Sequence, residues 1–324
     1  MLSKCYKHVL LAISKRTIVI MIILLFSISA LIVPNFFQYG NVENIFIQAA
    51  SLSVVACGVT FVVLNGGIDF SSTSIIALSS VVGASIISVD RGYMAGNPLS
   101  IPVAIMVVLL IGLSFGAING FAVVVFKMPS FIVTMATMMI GSGMAVYYTK
   151  GETINHLPGA FNWIGNGRVL GIPVILFIAV MIVVVLHLHL TKSLFGRQVF
   201  AVGTNPKASM ISGIQVKNTI FKMFLISGGC ASITGILMTS RLQSGAPGLA
   251  SNMFVDIIAS IAIGGTSTKG GSGSIIGTFF GVLFLTTMNN SLNMAGVSWF
   301  VIDIIKGLII LTTAIADVVK KEAN

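Results

Sequence analysis

The chain has 324 residues, 56% of them hydrophobic and only 8% charged, with a formal net charge of +10. A water-soluble domain carries roughly 25% charged residues, so a soluble core is excluded and most of the surface must face lipid. The positive balance does not indicate nucleic acid, because the basic residues cluster in a few loops, as the cytoplasmic loops of membrane proteins do.

Cys5, Cys57 and Cys230 have no paired spacing, so neither a disulfide framework nor a metal site is expected. No polar segment is long enough to hold a soluble domain, and residues 1–324 read as one transmembrane domain. A helix needs about 20 apolar residues to cross the hydrocarbon core. Lys4, Lys7, Lys15 and Arg16 precede the first such run, 17–33. Its "SISA", ending at Ala30, faintly resembles a signal cleavage site, but the run is long for a signal core and further spans follow, so it is read as a retained helix. Next come 47–64, a short run 74–89, then 102–126, 131–148, 172–190 and 220–240. Two more short runs, 254–264 and 274–289, precede the final span, 299–319.

Short spans beside glycine-rich breaks predict discontinuous or re-entrant helices, which survive at membrane depth only inside protein or along a wet cavity. The expected fold is an all-α polytopic bundle of about ten spans, or eight with re-entrant segments. Ten crossings from a cytoplasmic N-terminus place thirteen basic residues inside and four outside (Arg91, Lys150, Arg168, Arg241), with Lys306 inside the last span. That bias puts both tails, 1–16 and 320–324, in the cytoplasm. Ten spans divide into two halves of five, and an odd number per half would set the halves in opposite orientations. Gly112, Gly116 and Gly120, and again Gly273, Gly277 and Gly281, recur at spacing four. They hint at such a duplication, although small residues at that spacing first report close helix packing.

The stretch "LNGGIDFSST", 64–73, puts a carboxylate and a polar break between apolar runs. A bare charge at the bilayer centre costs a few kcal/mol, so Asp69 needs donors. It caps the next helix through Ser71, Ser72, Thr73 or backbone amides, or it lines a solute path; a capping residue at a broken helix can do both. Asn65, Gly66, Gly67, Ser71 and Thr73, with Asn289 and Asn290, are the other candidates for a polar path. Asp303 and Lys306 lie three apart in the last span, which suits a local ion pair; a proton-relay carboxylate is the alternative. His187 and His189 are two apart, a poor spacing for joint metal ligation on a helix, and suit interfacial anchoring. Outside, the turn 242–252 and the segment 149–171, with Trp163, offer surfaces for a partner or plain connections.

The inner loop 191–219 carries Lys192, Arg197, Lys207 and Lys217 and no acid. Pro206 after Asn205 predicts a short capped helix ending near Ser212 and Gly213. Such a helix can dock on a partner protein, or the loop can simply fix topology and touch anionic lipid.

Several ordered stretches carry a resemblance. "LNGGIDFSSTSIIALSS", "INGFAVVVFKMPSFIVTMATM", "YYTKGETI", "AVGTNPKASMISGIQV" and "DIIASIAIGGTSTKGGSGSIIGTFFGVLFLTTMNNSLNMAGVS" together resemble permease subunits of bacterial ATP-binding-cassette importers for ribose, xylose, galactosides and related sugars. The resemblance covers about residues 45–317. It implies a helix arrangement similar to the cobalamin-type importers, in the bacterial cytoplasmic membrane. It also implies a pair of permeases (a second copy or a sister chain), a cytosolic ATPase, and a periplasmic or lipid-anchored sugar-binding protein. The loop matching 197–215 then supplies the helix that seats in the ATPase, with Arg197, Gly203, Asn205, Ala208 and Gly213 matching the family pattern.

This chain is expected to hold no cofactor and to catalyse no covalent step. "GGTSTKGGS", 264–272, places Gly265 and Gly270 at phosphate-loop spacing, but Gly271 stands where the lysine is required. ATP and Mg²⁺ are therefore assigned to the separate ATPase. The rival readings are a stand-alone ion-coupled transporter, which needs paired intramembrane carboxylates or histidines, and an intramembrane enzyme, for which no dyad or metal cluster is spaced convincingly. Similar permeases carry several polyols, and the sequence does not choose among them.

Overall fold

The computed structural model describes residues 19–322. The first described helix, α1, spans Val19–Ile32. It is followed by α2 (Tyr39–Leu64), α3 (Ser71–Ile87), α4 (Ser100–Val125), α5 (Ser130–Thr149) and the short α6 (Gly159–Asn166). After a hairpin of β1 (Arg168–Val169) and β2 (Ile172–Pro173) come α7 (Val174–Lys192), α8 (Leu194–Thr204), α9 (Pro206–Ile211) and α10 (Val216–Leu242). The chain closes with α11 (Met253–Ile263), α12 (Ile275–Met294) and α13 (Trp299–Glu322). The tail 1–16 and residues 323–324 lie outside the described residues.

This is a polytopic helical bundle. Among the described residues, six helices, α2, α4, α5, α7, α10 and α12, are long and apolar enough to cross a membrane. α3 and α11 are shorter, with 17 and 11 residues, and α13 carries Asp303 and Lys306 in its first half. Each of the ten predicted runs contains a helix among the described residues, and several of the bounds move. α2 starts at Tyr39 rather than near 47, because Asn41, Glu43 and Asn44 lower the apolarity of its first turns without breaking them. α3 starts at Ser71 rather than 74, so Ser71 and Thr73 belong to its first turn and not to the break.

A helix apolar all round is either buried in protein or bathed in lipid, and the two cases separate clearly. α3 is buried along nearly its whole length and α2 from Ala49 onward, whereas α4, α5 and α7 turn most of their surface outward. α3 is central and rich in serine; some of its hydroxyls donate to carbonyls one turn back, as Ser74 does to Ser71 and Ser85 to Val82. α1 lies against α11 and α12, with Ile22 and Leu25 beside Ala259, Ile263 and Phe284, and Ser29 hydrogen-bonds Ser291 at 2.8 Å.

The packing repeats itself. α10 packs on α4 as α2 packs on α12; α3 meets α4, α10 and α5 as α11 meets α12, α2 and α13; and α4 meets α5 as α12 meets α13. Every pairing is reproduced when α2, α3, α4 and α5 are exchanged for α10, α11, α12 and α13. α2 ends where α10 begins, so the two sets run in opposite directions. The glycine ladders serve this packing but do not repeat as partners. Gly112 and Gly116 bring α4 onto the α10 backbone at Gly228 and Phe224, whereas Gly277 and Gly281 bring α12 onto the end of α11 at Gly264 and Ser260.

A Cβ on Gly116 would stand 2.5 Å from the Phe224 carbonyl, while one on Gly143 would meet nothing within 4 Å. Gly116→Leu is expected to destabilise the bundle by about 1–3 kcal/mol through overpacking, and Gly143→Leu by much less. Thermal unfolding of the two variants in detergent checks the difference.

Candidate functional site

The segment between α7 and α10 forms one projecting face. Ser193 ends α7 and caps α8, its hydroxyl accepting from the Gly196 amide at 3.0 Å. The turn is tight: a Cβ on Gly196 would lie 1.8 Å from the Leu190 carbonyl. Val199 and Val202 anchor α8 and are fully buried, while Arg197 on its other side is exposed. Asn205 caps α9, its side-chain oxygen accepting from the Ala208 amide at 3.0 Å with Pro206 in the first turn. Gly213 closes α9 at φ +81°, and its amide and that of Ile214 bond back to Met210 and Ser209, a Schellman ending.

The outward side of α9 is apolar as well as basic. Met210 and Ile211 are 65% and 85% exposed beside Lys207. Sequence reasoning passed over these two residues, because an apolar pair in a loop cannot be told from a packed one without knowing which way the helix points. Gly203, near the end of α8, faces inward instead, with its Cα side against the Leu64 carbonyl.

α2 ends beside this face. Its last turn closes as a Schellman motif on Gly66 (φ +73°), with the Gly66 and Gly67 amides bonding to Val63 and Val62. The exposed backbone of the break is then taken up by α5: the Ile68 amide donates to the Ser130 hydroxyl at 3.1 Å, and the Thr134 hydroxyl donates to the Ile68 carbonyl at 3.0 Å.

Asp69 is buried, with 1% of its surface exposed. One carboxylate oxygen accepts from the Ser71 amide (3.0 Å) and hydroxyl (2.6 Å), and the other from the Ser227 hydroxyl on α10 (2.6 Å). The Asn119 amide of α4 donates to the Ser71 hydroxyl, and the Thr137 hydroxyl of α5 donates to Asn119, each at 2.8 Å. Asp69 thus sits one residue before the Phe70 N-cap of α3, holds the first amide of that helix, and ties α3 to α4, α5 and α10. Ser227, Asn119 and Thr137 were not singled out in the sequence. The available signal was polar residues within otherwise apolar spans.

The eight residues expected along one path do not form one site. Asn65, Gly66, Gly67, Asp69, Ser71 and Thr73 gather at the α8 end. Asn289 and Asn290 lie far along α12, where Asn290 donates to Asn41 at the start of α2 at 2.8 Å. Asn41 and Asn65 are 24 residues apart on α2, roughly 36 Å at 1.5 Å per residue.

Asp256 was not paired with any residue in the sequence. It lies in the first turn of α11 and pairs with Lys306 of α13 at 2.9 Å, closer than the Asp303 contact of Lys306 at 3.7 Å. The local pair expected within α13 is therefore the weaker half of a cross-helix arrangement, since Asp303 is also largely exposed. His189 stacks on Phe195 at 5.1 Å, at the foot of α8.

At the opposite end, the turn 242–252 and the segment 149–171 join. Ile154 and Gly245 exchange backbone hydrogen bonds at 2.8 Å, and α6 is fastened to α10 through Ser240, which accepts from the Gly165 amide and donates to the Phe161 carbonyl. Arg168 grips Glu43 at 2.7 Å, and that carboxylate holds the guanidinium above its ordinary pKa. A polar cavity of about 440 Å³ opens here, lined by Ser85, Asp90, Tyr148, Glu152, Asn155 and His156, with Asp90 paired to His156. Trp163 stands half-exposed on this face.

Residues 41–314 match the family described as the permease component of the branched-chain amino acid transport system. The chain belongs to this permease family. Among its relatives, the ribose import permease protein of Haemophilus influenzae is 37% identical over 309 residues, 94% of this chain and 93% of that protein. The ribose import permease protein of Bacillus subtilis is 38% identical over 287 residues, 88% and 86% of the two chains. The L-arabinose transport system permease protein of Escherichia coli K12 is 31% identical over 308 residues, 93% and 89%. No solved structure matches the chain.

Removing Lys306 leaves the Asp256 carboxylate without its cation in a poorly solvated place. Lys306→Met is expected to cost about 3–5 kcal/mol, and Lys306→Met with Asp256→Leu to recover most of it. Asp303→Ala should change little. A double-mutant cycle on thermal unfolding in detergent measures the coupling.

Proposed function

We propose that this chain is the membrane-spanning permease of an ATP-binding-cassette importer, carrying a simple sugar such as a pentose across the bacterial cytoplasmic membrane. The observation that carries the proposal is the near full-length likeness to ribose and arabinose permeases. The family's own description names branched-chain amino acids, which carry a carboxylate and an ammonium group. The polar groups gathered here are instead mainly hydroxyls and amides, the donors and acceptors a neutral polyol needs.

Charge supports the orientation. Lys127, Lys192, Arg197, Lys207, Lys217, Lys222 and Lys269 belong to the α8–α9 end, and a basic excess marks the cytoplasmic side. With that end inside, ten crossings place both termini in the cytoplasm. The exposed α9, apolar at Met210 and Ile211 and basic at Lys207, then meets the cytosolic ATPase, which holds ATP and Mg²⁺. The opposite face, with its polar cavity, meets the sugar-binding protein. The outward sides of α5 and α13 face lipid and a second permease, identical or sister. Solute passes as the helices rock when ATP closes the partner dimer. Asp69 acts as the cap and tie of α3 at the inner end of the path.

Two measurements test this. In vesicles, the chain with its ATPase and binding protein should accumulate sugar when ATP is supplied. Alone, with only a proton or sodium gradient, it should accumulate none; gradient-driven accumulation overturns the reading in favour of an ion-coupled transporter. Arg197→Glu and Gly213→Leu should lower ATP-driven uptake by about ten-fold or more, with normal insertion. The first reverses a charge on the docking face. The second forces a side chain into left-handed backbone at φ +81°, at a cost of about 1–2 kcal/mol. Unchanged uptake and ATPase stimulation in both variants contradict docking at α8–α9.

A further inference from the structure

The α11–α12 loop, 264–273, does not hang free at the inner face. Its Gly271 amide donates to the Leu64 carbonyl at 2.8 Å. That carbonyl belongs to the last turn of α2, where intrahelical partners have run out. α8 presses on the same hydrogen bond. A Cβ on Gly203 would stand 1.9 Å from the Leu64 oxygen and 2.8 Å from the Gly271 nitrogen. On the other side, a Cβ on Gly270 would stand 2.7 Å from the Gly66 nitrogen, and one on Gly271 would stand 2.9 Å from the Thr204 hydroxyl. Three segments far apart in the chain therefore meet backbone to backbone, and glycine is the residue that permits each approach.

We propose that Gly203, Gly270 and Gly271 are positioning residues of a rigid weld that passes the movement of α8 to both interrupted regions of the bundle at once. This rests on the importer reading above. A contact between side chains can absorb a small displacement by changing rotamer. A contact between backbones has no such slack, and close-packed interiors transmit strain. From the weld, one route runs through Gly66 and Ile68 to Ser130 and Thr134 of α5 and to the Asp69 tie. The other runs through the loop to the crossing of α11 and α12, where Gly264 and Gly277 approach so closely that a Cβ on either would lie within 2.5 Å of the other's carbonyl. Because α3 and α11 occupy equivalent places in the two oppositely directed sets, the weld drives both halves from one handle.

The test uses the complete complex of permease, ATPase and binding protein in vesicles. Gly203→Val and the milder Gly203→Ala are compared with Gly307→Ala, where a Cβ would meet nothing within 4 Å. The expected result is that the Gly203 variants co-purify with the ATPase and keep basal hydrolysis within about two-fold, yet lose uptake by about ten-fold or more. The ATP spent per solute therefore rises, which a mere loss of folded protein does not produce. A Gly203 variant that assembles and transports within about two-fold of the unmodified complex overturns the weld.

Hydrogen–deuterium exchange on the unmodified complex decides independently whether the junction is rigid. The Gly271 amide should stay protected to within about two-fold in the resting complex and during ATP turnover. Loss of that protection during turnover shows that the junction opens and overturns the proposal. Failure of the unmodified complex to transport with ATP overturns the importer reading and this inference together. Normal transport by the unmodified complex alongside unaffected variants overturns this inference alone.

Discussion

In hydrocarbon, a backbone carbonyl or amide without a partner costs several kcal/mol, and the Leu64 carbonyl is where this chain meets that constraint most directly. α2 must stop there for α3 to begin, and stopping frees groups that neither lipid nor the helix itself can satisfy. The chain answers by bringing in partners: the Gly271 amide donates to the Leu64 carbonyl, Ser130 accepts from and Thr134 donates to Ile68, and the Asp69 carboxylate accepts from the Ser71 amide. The composition of the region follows from this. Glycines allow backbones to touch, hydroxyls supply short hydrogen bonds, and one acid accepts three of them. The same constraint keeps α3 deep in the bundle, since a helix that starts from a break at this depth has to start inside protein.

A second break opens at the same end of the bundle, although the inverted exchange, which pairs α2 with α10, does not relate the two. α11 ends as α2 does, with Gly265 in left-handed backbone at φ +81° and the Gly265 and Thr266 amides bonding back to Ala262 and Ile261. Both endings lie at the α8 end, and each is followed by a helix that runs away from it. The two endings close differently: the first uses Asp69 and its serines, the second a longer glycine-rich loop. The repeat hinted at by the two glycine ladders is visible in which helices touch, even though the ladders themselves touch different partners.

Much of this was legible in the sequence, because the bilayer constrains length and apolarity so strongly. The positions of the helices, the capped α9 and the family followed from runs, caps and ordered motifs. What stayed hidden depended on contacts across the chain. Asp69 could be expected to need donors, but nothing near it pointed to Ser227, 158 residues away. Lys306 suggested Asp303 by spacing, while its closer partner proved to be Asp256 on another helix. The phosphate-loop look-alike at 264–272 could be dismissed as an ATP site, yet its real neighbours, Leu64 and Gly203, share no local pattern with it. Asn289 and Asn290 looked like companions of Asn65 because composition alone carries no depth.

The ion pair between α11 and α13 also bears on how the protein is made. A charged residue at the centre of a lone inserting helix costs about 2.5–3.5 kcal/mol, and α13 carries two such residues in its first half. Once Lys306 meets Asp256, each charge is held by the other, so the last helix is matched to a carboxylate placed some fifty residues earlier in the chain.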